Sequence, residues 1–239
     1  MNLSTFIFIA MMMVLPKNQK TVAMPQDTQR LKQFSSEIAD AIHLNPEFDI
    51  FKGAAKTKAI ATLLVATAWG ESHLREDIRR CTKKGDNGRS ITSFQMMKPW
   101  ALSRVIPVEK QIRKGGNYEI VTVYEWRRLF TEKEMCSNSM LAANQSMWFF
   151  SHLRTHCPSG SMLNIWAGYG TGNCSKTHFK VIRDRCYLWQ TLSKKMGLEN
   201  AYCEKNKDIY LNTNKLHQVA IQNKKWLNVA GIPYNFSNP

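Results

Sequence analysis

The chain contains one stretch, AAKTKAIATLLVATAWGE at residues 54–71, whose pattern changes along its length. It begins amphipathic and becomes apolar on every side, which is typical of a helix that enters the centre of a domain. Gly70 interrupts the apolar run, and Glu71 follows it. A carboxyl group at the end of a buried helix is poorly solvated, so its pKa rises and it holds a proton near neutral pH. Glu71 is therefore a candidate general acid.

The structural alternative is that Glu71 only ends the helix, or pairs with Arg75 or Arg79. The neighbouring Ser72 and His73 do not form a nucleophile pair, because adjacent residues on a helix point about 100° apart. No other His or Cys spacing indicates a metal centre, and we expect no metal and no cofactor.

Helical periodicity continues on both sides of this stretch. Leu31, Phe34, Ile38 and Ile42 recur at helical spacing before the break at Asn45-Pro46, and the chain contains no repeat. The pattern predicts a mainly helical protein with at most a small sheet. We expect a linker at 16–30, an irregular excursion with a small hairpin at 79–93, a surface loop at 109–117, a strand at 118–124, and helices near 100–105, 137–153 and 179–196.

Composition indicates a globular protein with one main domain, since 44% of its 239 residues are hydrophobic. Lys and Arg outnumber Asp and Glu by 33 to 18, so the formal charge of +15 attracts polyanions such as nucleic acid, anionic membrane or bacterial wall. The basic residues are spread along the chain, which argues against nucleic acid as the partner. Neither a zinc-type CxxC pair, a Walker loop nor a dinucleotide glycine fingerprint is present.

The six cysteines are even in number and widely spaced, which favours disulfides over a metal cluster; reduced thiols in a cytosolic protein are the alternative. Six cysteines allow many pairings, and the sequence selects none of them. They are Cys81, Cys136, Cys157, Cys174, Cys186 and Cys203.

An apolar, uncharged run from Leu3 to Leu15 has the length of a signal-peptide core and is too short for an ordinary membrane span. It predicts an export signal within residues 1–24, cleaved after Ala23, although no basic residue precedes the run and Lys17 and Lys20 lie near the cleavage region. The mature protein would then be periplasmic or extracellular, without a membrane span.

Three motifs follow one another along the chain: Glu71-Ser72-His73, then Gly85-Asp86-Asn87-Gly88 with Ile91 and Gln95, then residues 166–172. Together they resemble the lysozyme-like superfamily, specifically the soluble-type lytic transglycosylases and the goose-type lysozymes. Glu71-Ser72-His73 matches the start of their active-site motif after an apolar helix. Gly85-Asp86-Asn87-Gly88, with Ile91 and Gln95 in SITSFQ, is similar to the goose-type run that leads into G-L-M-Q. Residues 166–172, WAGYGTG, resemble the transglycosylase motif A-x-Y-N-x-G. The resemblance covers about residues 55–195.

This resemblance implies a lysozyme-like α+β domain at residues 25–196, with a small sheet or hairpin beside the substrate groove. Residues 197–239 would be a basic extension of unassigned role that includes Trp226 and Tyr234. By similarity, Glu71 is the catalytic acid and Tyr169 hydrogen-bonds and orients its carboxyl group. The residues assigned to substrate binding are Gln95, Tyr169, Ser90 and Asp86.

The chain departs from the family pattern at three positions. Thr92 and Ser93 stand where the family has glycine and leucine, and Gly170 stands where it has asparagine. Thr92 places a side chain where the family brings its backbone close to the sugar.

The resemblance implies a peptidoglycan lytic transglycosylase, which cleaves the β-1,4 bond between N-acetylmuramic acid and N-acetylglucosamine with one glutamate and gives 1,6-anhydro products. The alternatives are a goose-type muramidase, in which Asp86 helps water attack the same bond, and a noncatalytic wall-binding module. Asp86 could equally cap its loop. The expected partners are peptidoglycan glycan strands, in a setting such as wall remodelling, a secretion apparatus or a phage particle.

Overall fold

A computed structural model of the chain describes residues 1–15, 25–48, 50–157, 160–204 and 206–232. The fold is mainly helical, with 58% helix and 17% strand, as the sequence predicts. The helices are α1 (Leu3–Val14), α2 (Pro25–Leu44), α3 (Lys56–Ser72), α4 (Glu76–Arg79), α5 (Lys98–Leu102), α6 (Glu132–Ser137), α7 (Ser139–His156), α8 (Met162–Thr171), α9 (Lys180–Lys195), α10 (Thr213–Gln222) and α11 (Lys224–Val229).

Three antiparallel sheets of two strands each accompany these helices. They are β1 (Ser90–Ile91) with β2 (Met96–Met97), β3 (Ser103–Lys114) with β4 (Asn117–Arg128), and β5 (Leu198–Ala201) with β6 (Asn206–Leu211).

Helix α3 lies at the centre of the core, as its apolar pattern predicts. Residues 59–68 are buried without a break, and α1, α2, α7 and α9 pack around them. Gly70 does not end the helix, which continues to Ser72 and closes where His73 takes a left-handed φ of 52° and donates its N–H to the Trp69 carbonyl. Glu71 therefore lies in the last turn of a buried helix.

The N-terminal apolar run forms helix α1, which is part of the core. Its residues from Phe6 to Met12 are 0–1% exposed and pack mainly against α2 and α3. The Asn2 side chain caps the helix by accepting a hydrogen bond from the Thr5 N–H. Removal of this segment as an export signal stays a prediction, and the cleavage position after Ala23 lies outside the described residues. No helix in the described ranges combines the length and hydropathy needed to cross a membrane.

The ribbon of β3 and β4 differs from two predictions made from the sequence. The helix expected over 100–105 ends at Leu102. The loop expected at 109–117 is wrong, because β3 pairs with β4 along its whole length and the ribbon turns at Gly115-Gly116. The polar residues that suggested a loop, Glu109, Lys110 and Gln111, are consecutive in a part of the strand that is exposed to solvent. The strand expected at 118–124 is confirmed and longer.

Other elements follow the sequence more closely. The helices expected at 137–153 and 179–196 are confirmed as α7 and α9, and the excursion at 79–93 contains a 3-10 turn and strand β1. The linker expected at 16–30 is wrong for residues 25–30, which begin α2; residues 16–24 lie outside the described ranges.

Three disulfides connect these elements, which confirms the prediction from the cysteine count. Cys81–Cys136 ties the segment after α4 to α6, and Cys157–Cys174 brackets α8. Cys186–Cys203 ties α9 to the loop between β5 and β6. Such bridges are typical of proteins that fold in an oxidising compartment.

The segment after α9 packs onto the main domain. Leu198, Leu216 and Leu227 are buried in the common core, and the Ile209 N–H donates to the Lys52 carbonyl at 3.2 Å. Trp226 is partly buried against the same core, whereas Tyr234 lies outside the described residues. Residues of 198–204 and 206–232 therefore contribute to the hydrophobic core of the domain.

Candidate active site

All five residues assigned to the site line one cleft of about 380 Å³. The end of α3, the β1–β2 hairpin and α8 bring together Glu71, Asp86, Ser90, Gln95 and Tyr169. The fold thus gathers residues that are separated by up to 98 positions in the sequence, 71 to 169. The rest of the wall contains Met96, Met97, Trp100, Phe149, Val181, Ile182 and Arg185.

The Glu71 carboxyl group is nearly enclosed, with 9% of its side chain exposed. Arg185 donates from Nη2 to Glu71 Oε2 at 2.7 Å. Burial raises the pKa of Glu71 to about 7; the charge of Arg185 lowers it, and the charge of Asp86 raises it. The cost of desolvation outweighs the attraction to Arg185, so near neutral pH a large fraction of the carboxyl groups carries a proton available for donation.

Arg185 is the functional residue that the sequence analysis missed. It lies on α9 beside the buried Ile182, Cys186 and Trp189, on the inward face of the helix. An arginine on an apolar helix face is a detectable signal, because a buried charge needs a partner. The Arg185 Nε is buried and has no hydrogen-bond partner in the described part of the chain, so this group can still donate one bond.

The alternative pairings of Glu71 with the arginines that follow it are wrong. Arg75 pairs with Asp77, and Arg79 pairs with Glu76 and Glu37. Glu71 therefore contacts a cation from a distant helix.

The Tyr169 hydroxyl does not orient Glu71 as the resemblance implied. It donates to the Phe94 carbonyl at 2.7 Å, and the Tyr169 ring stacks on Phe150 with centroids 4.4 Å apart. Burial, and next the charge of Glu71, raise the pKa of Tyr169, so the phenol stays protonated. Tyr169 instead fixes the backbone immediately before Gln95.

Gln95 lies in a tight turn that one glycine permits. Its Nε2 donates to the Thr92 carbonyl at 2.9 Å. A Cβ atom on Gly85 would stand 1.7 Å from Gln95 Oε1, so a side chain at position 85 would displace the amide. Gln95 itself has a φ of 45°. The turn therefore presents the Gln95 amide to the cleft at the cost of unusual backbone geometry.

Thr92 occupies a position that favours glycine. Its φ of 67° lies in the left-handed region, and its side chain is 1% exposed. A β-branched residue is strained there, because its Cβ substituents crowd the backbone. This conformation agrees with the glycine that the resembled motif has at this position. Thr92 retains the turn and adds a buried side chain to it.

Ser90 and Asp86 form a pair at the edge of the cleft. The buried Ser90 hydroxyl donates to Asp86 Oδ2 at 2.5 Å, while Asp86 itself is exposed at the start of the 3-10 turn. Ser90 therefore holds Asp86, the second carboxylate of the cleft. The proton of the Ser90 hydroxyl points at Asp86 and not at the space for a substrate. Asp86 remains open to solvent and to a bound molecule.

A larger cavity, of about 770 Å³, lies between α2 and α4 and offers no comparable acid. Its glutamate, Glu76, accepts hydrogen bonds from Arg79 and Arg80, and these contacts lower the pKa of Glu76 to about 2 despite partial burial. A carboxylate that stays ionised cannot donate a proton near neutral pH. Glu76 is therefore a poorer candidate for a general acid than Glu71.

Comparison with known proteins gave no match: no family model, no curated protein and no solved structure matches the chain. The geometry of the cleft and the three sequence motifs are therefore the features that indicate a function.

Proposed function

We propose that the protein is a peptidoglycan lytic transglycosylase that cleaves the β-1,4 bond between N-acetylmuramic acid and N-acetylglucosamine. The observation that carries this proposal is the enclosed Glu71 carboxyl, whose pKa of about 7 suits a group that donates and then recovers a proton. The Gln95 amide and the aromatic wall of Trp100 and Phe149 suit a sugar, which offers hydroxyl groups on its edges and C–H groups on its faces.

In the proposed reaction, protonated Glu71 donates to the glycosidic oxygen as the bond to C1 of N-acetylmuramic acid breaks. The leaving N-acetylglucosamine keeps that proton as its 4-hydroxyl group. The C6 hydroxyl of N-acetylmuramic acid then attacks C1 and gives its proton to the Glu71 carboxylate, which forms a 1,6-anhydro ring. The intramolecular attack gains from high effective molarity. Arg185, 2.7 Å from Glu71, stabilises the carboxylate between the two steps.

A muramidase is the second candidate, and Asp86 favours it. Asp86 lines the same cleft, and its charge acts on Glu71. In that reaction the Asp86 carboxylate would take a proton from water as the water attacks C1. We favour the transglycosylase because Asp86 is exposed and already accepts a hydrogen bond from Ser90.

We further propose that the protein acts on the wall outside the cytosol, in the periplasm or extracellular space. The three disulfides favour an oxidising compartment. The net charge of +15 favours docking on an anionic wall through contacts that salt weakens.

The test is mass spectrometry of the muropeptides released from purified wall sacculi. We expect the wild-type protein to release 1,6-anhydro products, each lighter by one water than its hydrolysed counterpart, and Glu71→Gln to release none. Asp40→Asn, which removes an exposed carboxylate of α2 outside the cleft, is the matched control and keeps full activity.

Each other outcome has a distinct meaning. Products with reducing ends that depend on Glu71 would establish the muramidase and make Asp86 the candidate base. Absence of products from the wild-type protein, with retained binding to sacculi, would instead support the noncatalytic module.

A further inference from the structure

The β3–β4 ribbon carries all three of its aromatic side chains on one exposed face. In an antiparallel pair, directly opposed residues share a face, and every second residue along a strand does too. Val105, Pro107, Gln111 and Arg113 of β3 therefore share a face with their β4 partners. On this face, strand β4 contributes Tyr118, Ile120, Tyr124 and Trp126. We call these four residues the aromatic face.

The aromatic face is open to solvent. Tyr118 is 66% exposed, Ile120 73%, Tyr124 74% and Trp126 48%. The opposite face holds the half-buried Val108, Val121 and Val123, together with the Lys110–Glu125 ion pair. A contiguous exposed apolar surface on a soluble domain usually marks a binding site.

The aromatic face continues into the cleft of Glu71. The Trp126 ring lies edge-on to Trp100 with centroids 4.8 Å apart, and Trp100 stacks on Phe149 at 4.9 Å. Trp100 and Phe149 both line the cleft. Aromatic rings therefore extend without interruption from the proposed catalytic site to the base of the ribbon.

We propose that the aromatic face binds the glycan strand on one side of the bond that is cleaved in the cleft. This inference rests on the proposed function and extends its substrate from two sugars to a strand. The nine residues from Tyr118 to Trp126 span about 27 Å at roughly 3.4 Å per step along the strand, which is long enough for several sugar rings.

The chemistry of the face favours a polysaccharide as its occupant. The rings of Tyr118, Tyr124 and Trp126 can stack on the C–H faces of sugars, as aromatic surfaces pack on apolar ones. Thr122 and its opposed partner Glu109, and Gln111 opposite Ile120, stand between the rings and can bind hydroxyl groups. A lipid bilayer would have to accept the exposed Glu109 at the same depth as the rings, which is unfavourable.

The test measures binding in the Glu71→Gln background, where no cleavage occurs. The probes are β-1,4-linked N-acetylglucosamine oligomers of increasing length, measured by calorimetry. We expect affinity to rise with length beyond the oligomer that fills the cleft. We expect Tyr118→Ser with Tyr124→Ser to weaken binding of the long oligomers about tenfold, and to leave the short ones unchanged.

Ile112→Ser is the matched control, since Ile112 is 41% exposed on the opposite face of the same ribbon. It should bind every oligomer like the parent protein. Equal affinity of the double variant and the parent for long oligomers would overturn the inference. If the double variant loses binding to phosphatidylglycerol vesicles but still binds the long oligomers like the parent protein, the inference would be overturned in favour of a membrane surface.

The two proposals can fail separately. If the aromatic face binds no sugar, wild-type protein can still release Glu71-dependent products from sacculi. If no products form, length-dependent binding that requires Tyr118 and Tyr124 would retain the strand-binding surface and remove the catalytic proposal.

Discussion

At the scale of single residues, burial and one ion pair shift the pKa of Glu71 in opposite directions. Burial raises the pKa of Glu71, and Arg185 lowers it, with burial dominant. The geometry thus gives Arg185 two roles: it orients the carboxyl group through a 2.7 Å hydrogen bond and limits how high the pKa rises.

The pH dependence of the proposed activity follows from this balance. The active acid is the protonated form, so activity should fall as pH rises through about 7, the pKa of Glu71. Arg185→Gln removes the charge that lowers this pKa. The alkaline limb of the activity profile should therefore move to higher pH by about one unit or more.

The measurement is the initial rate of wall lysis against pH at fixed ionic strength. Arg183→Gln removes an exposed charge from the same helix and is the control, with an unchanged profile. A limb that stays in place in Arg185→Gln would mean that Arg185 only packs against Glu71.

At the scale of an element, the β1–β2 hairpin contains a threonine in a backbone conformation that favours glycine. Thr92 adopts the left-handed backbone that glycine would adopt freely, in a buried turn fixed by the Tyr169 hydroxyl one residue before Gln95. The strain is local, and the packed surroundings maintain it.

Replacing this threonine should relieve the strain. Thr92→Gly should raise the free energy of unfolding by about 1 kcal/mol, because the removed strain exceeds the extra chain entropy that glycine gives the unfolded state. Chemical denaturation monitored by tryptophan fluorescence measures this value. Thr82→Gly, at an exposed position of the same excursion, should be neutral or destabilising. A clear loss of stability in Thr92→Gly would mean that the Thr92 side chain contributes more through packing than its backbone costs.

At the scale of the whole molecule, a disulfide fixes the helix that carries Tyr169. Cys157–Cys174 brackets α8, where a Cβ atom on Gly168 would stand 3.3 Å from both sulfurs and 2.7 Å from Leu153. Gly168 therefore permits the close packing that places Tyr169 in the cleft.

The bridges should differ in their effect on stability according to the loops they close. Cys81–Cys136 closes a separation of 55 residues and Cys157–Cys174 one of 17. Replacing the first pair by serine should cost about 4 kcal/mol, and the second about 3 kcal/mol, because a longer loop loses more entropy when it is closed. Denaturation of the two double variants gives the comparison. Mobility that is identical in reducing and nonreducing electrophoresis would contradict the bridges themselves.

The sequence alone determined the central buried helix and the acid at its end, because helical periodicity and an apolar run are local properties of the chain. It also placed Gln95 and Tyr169 in the site through motif resemblance, and it predicted disulfides without their pairing. The β3–β4 ribbon was missed in part, since polar residues on a strand exposed on both faces resemble a loop.

Tertiary structure alone decided which groups contact one another. Arg185 reaches Glu71 across 114 positions, and the Tyr169 hydroxyl donates its hydrogen bond to the Phe94 carbonyl rather than to Glu71. Such contacts depend on how helices pack, and no local pattern encodes the distance between two helix faces. The same packing joins the aromatic face of the ribbon to the cleft.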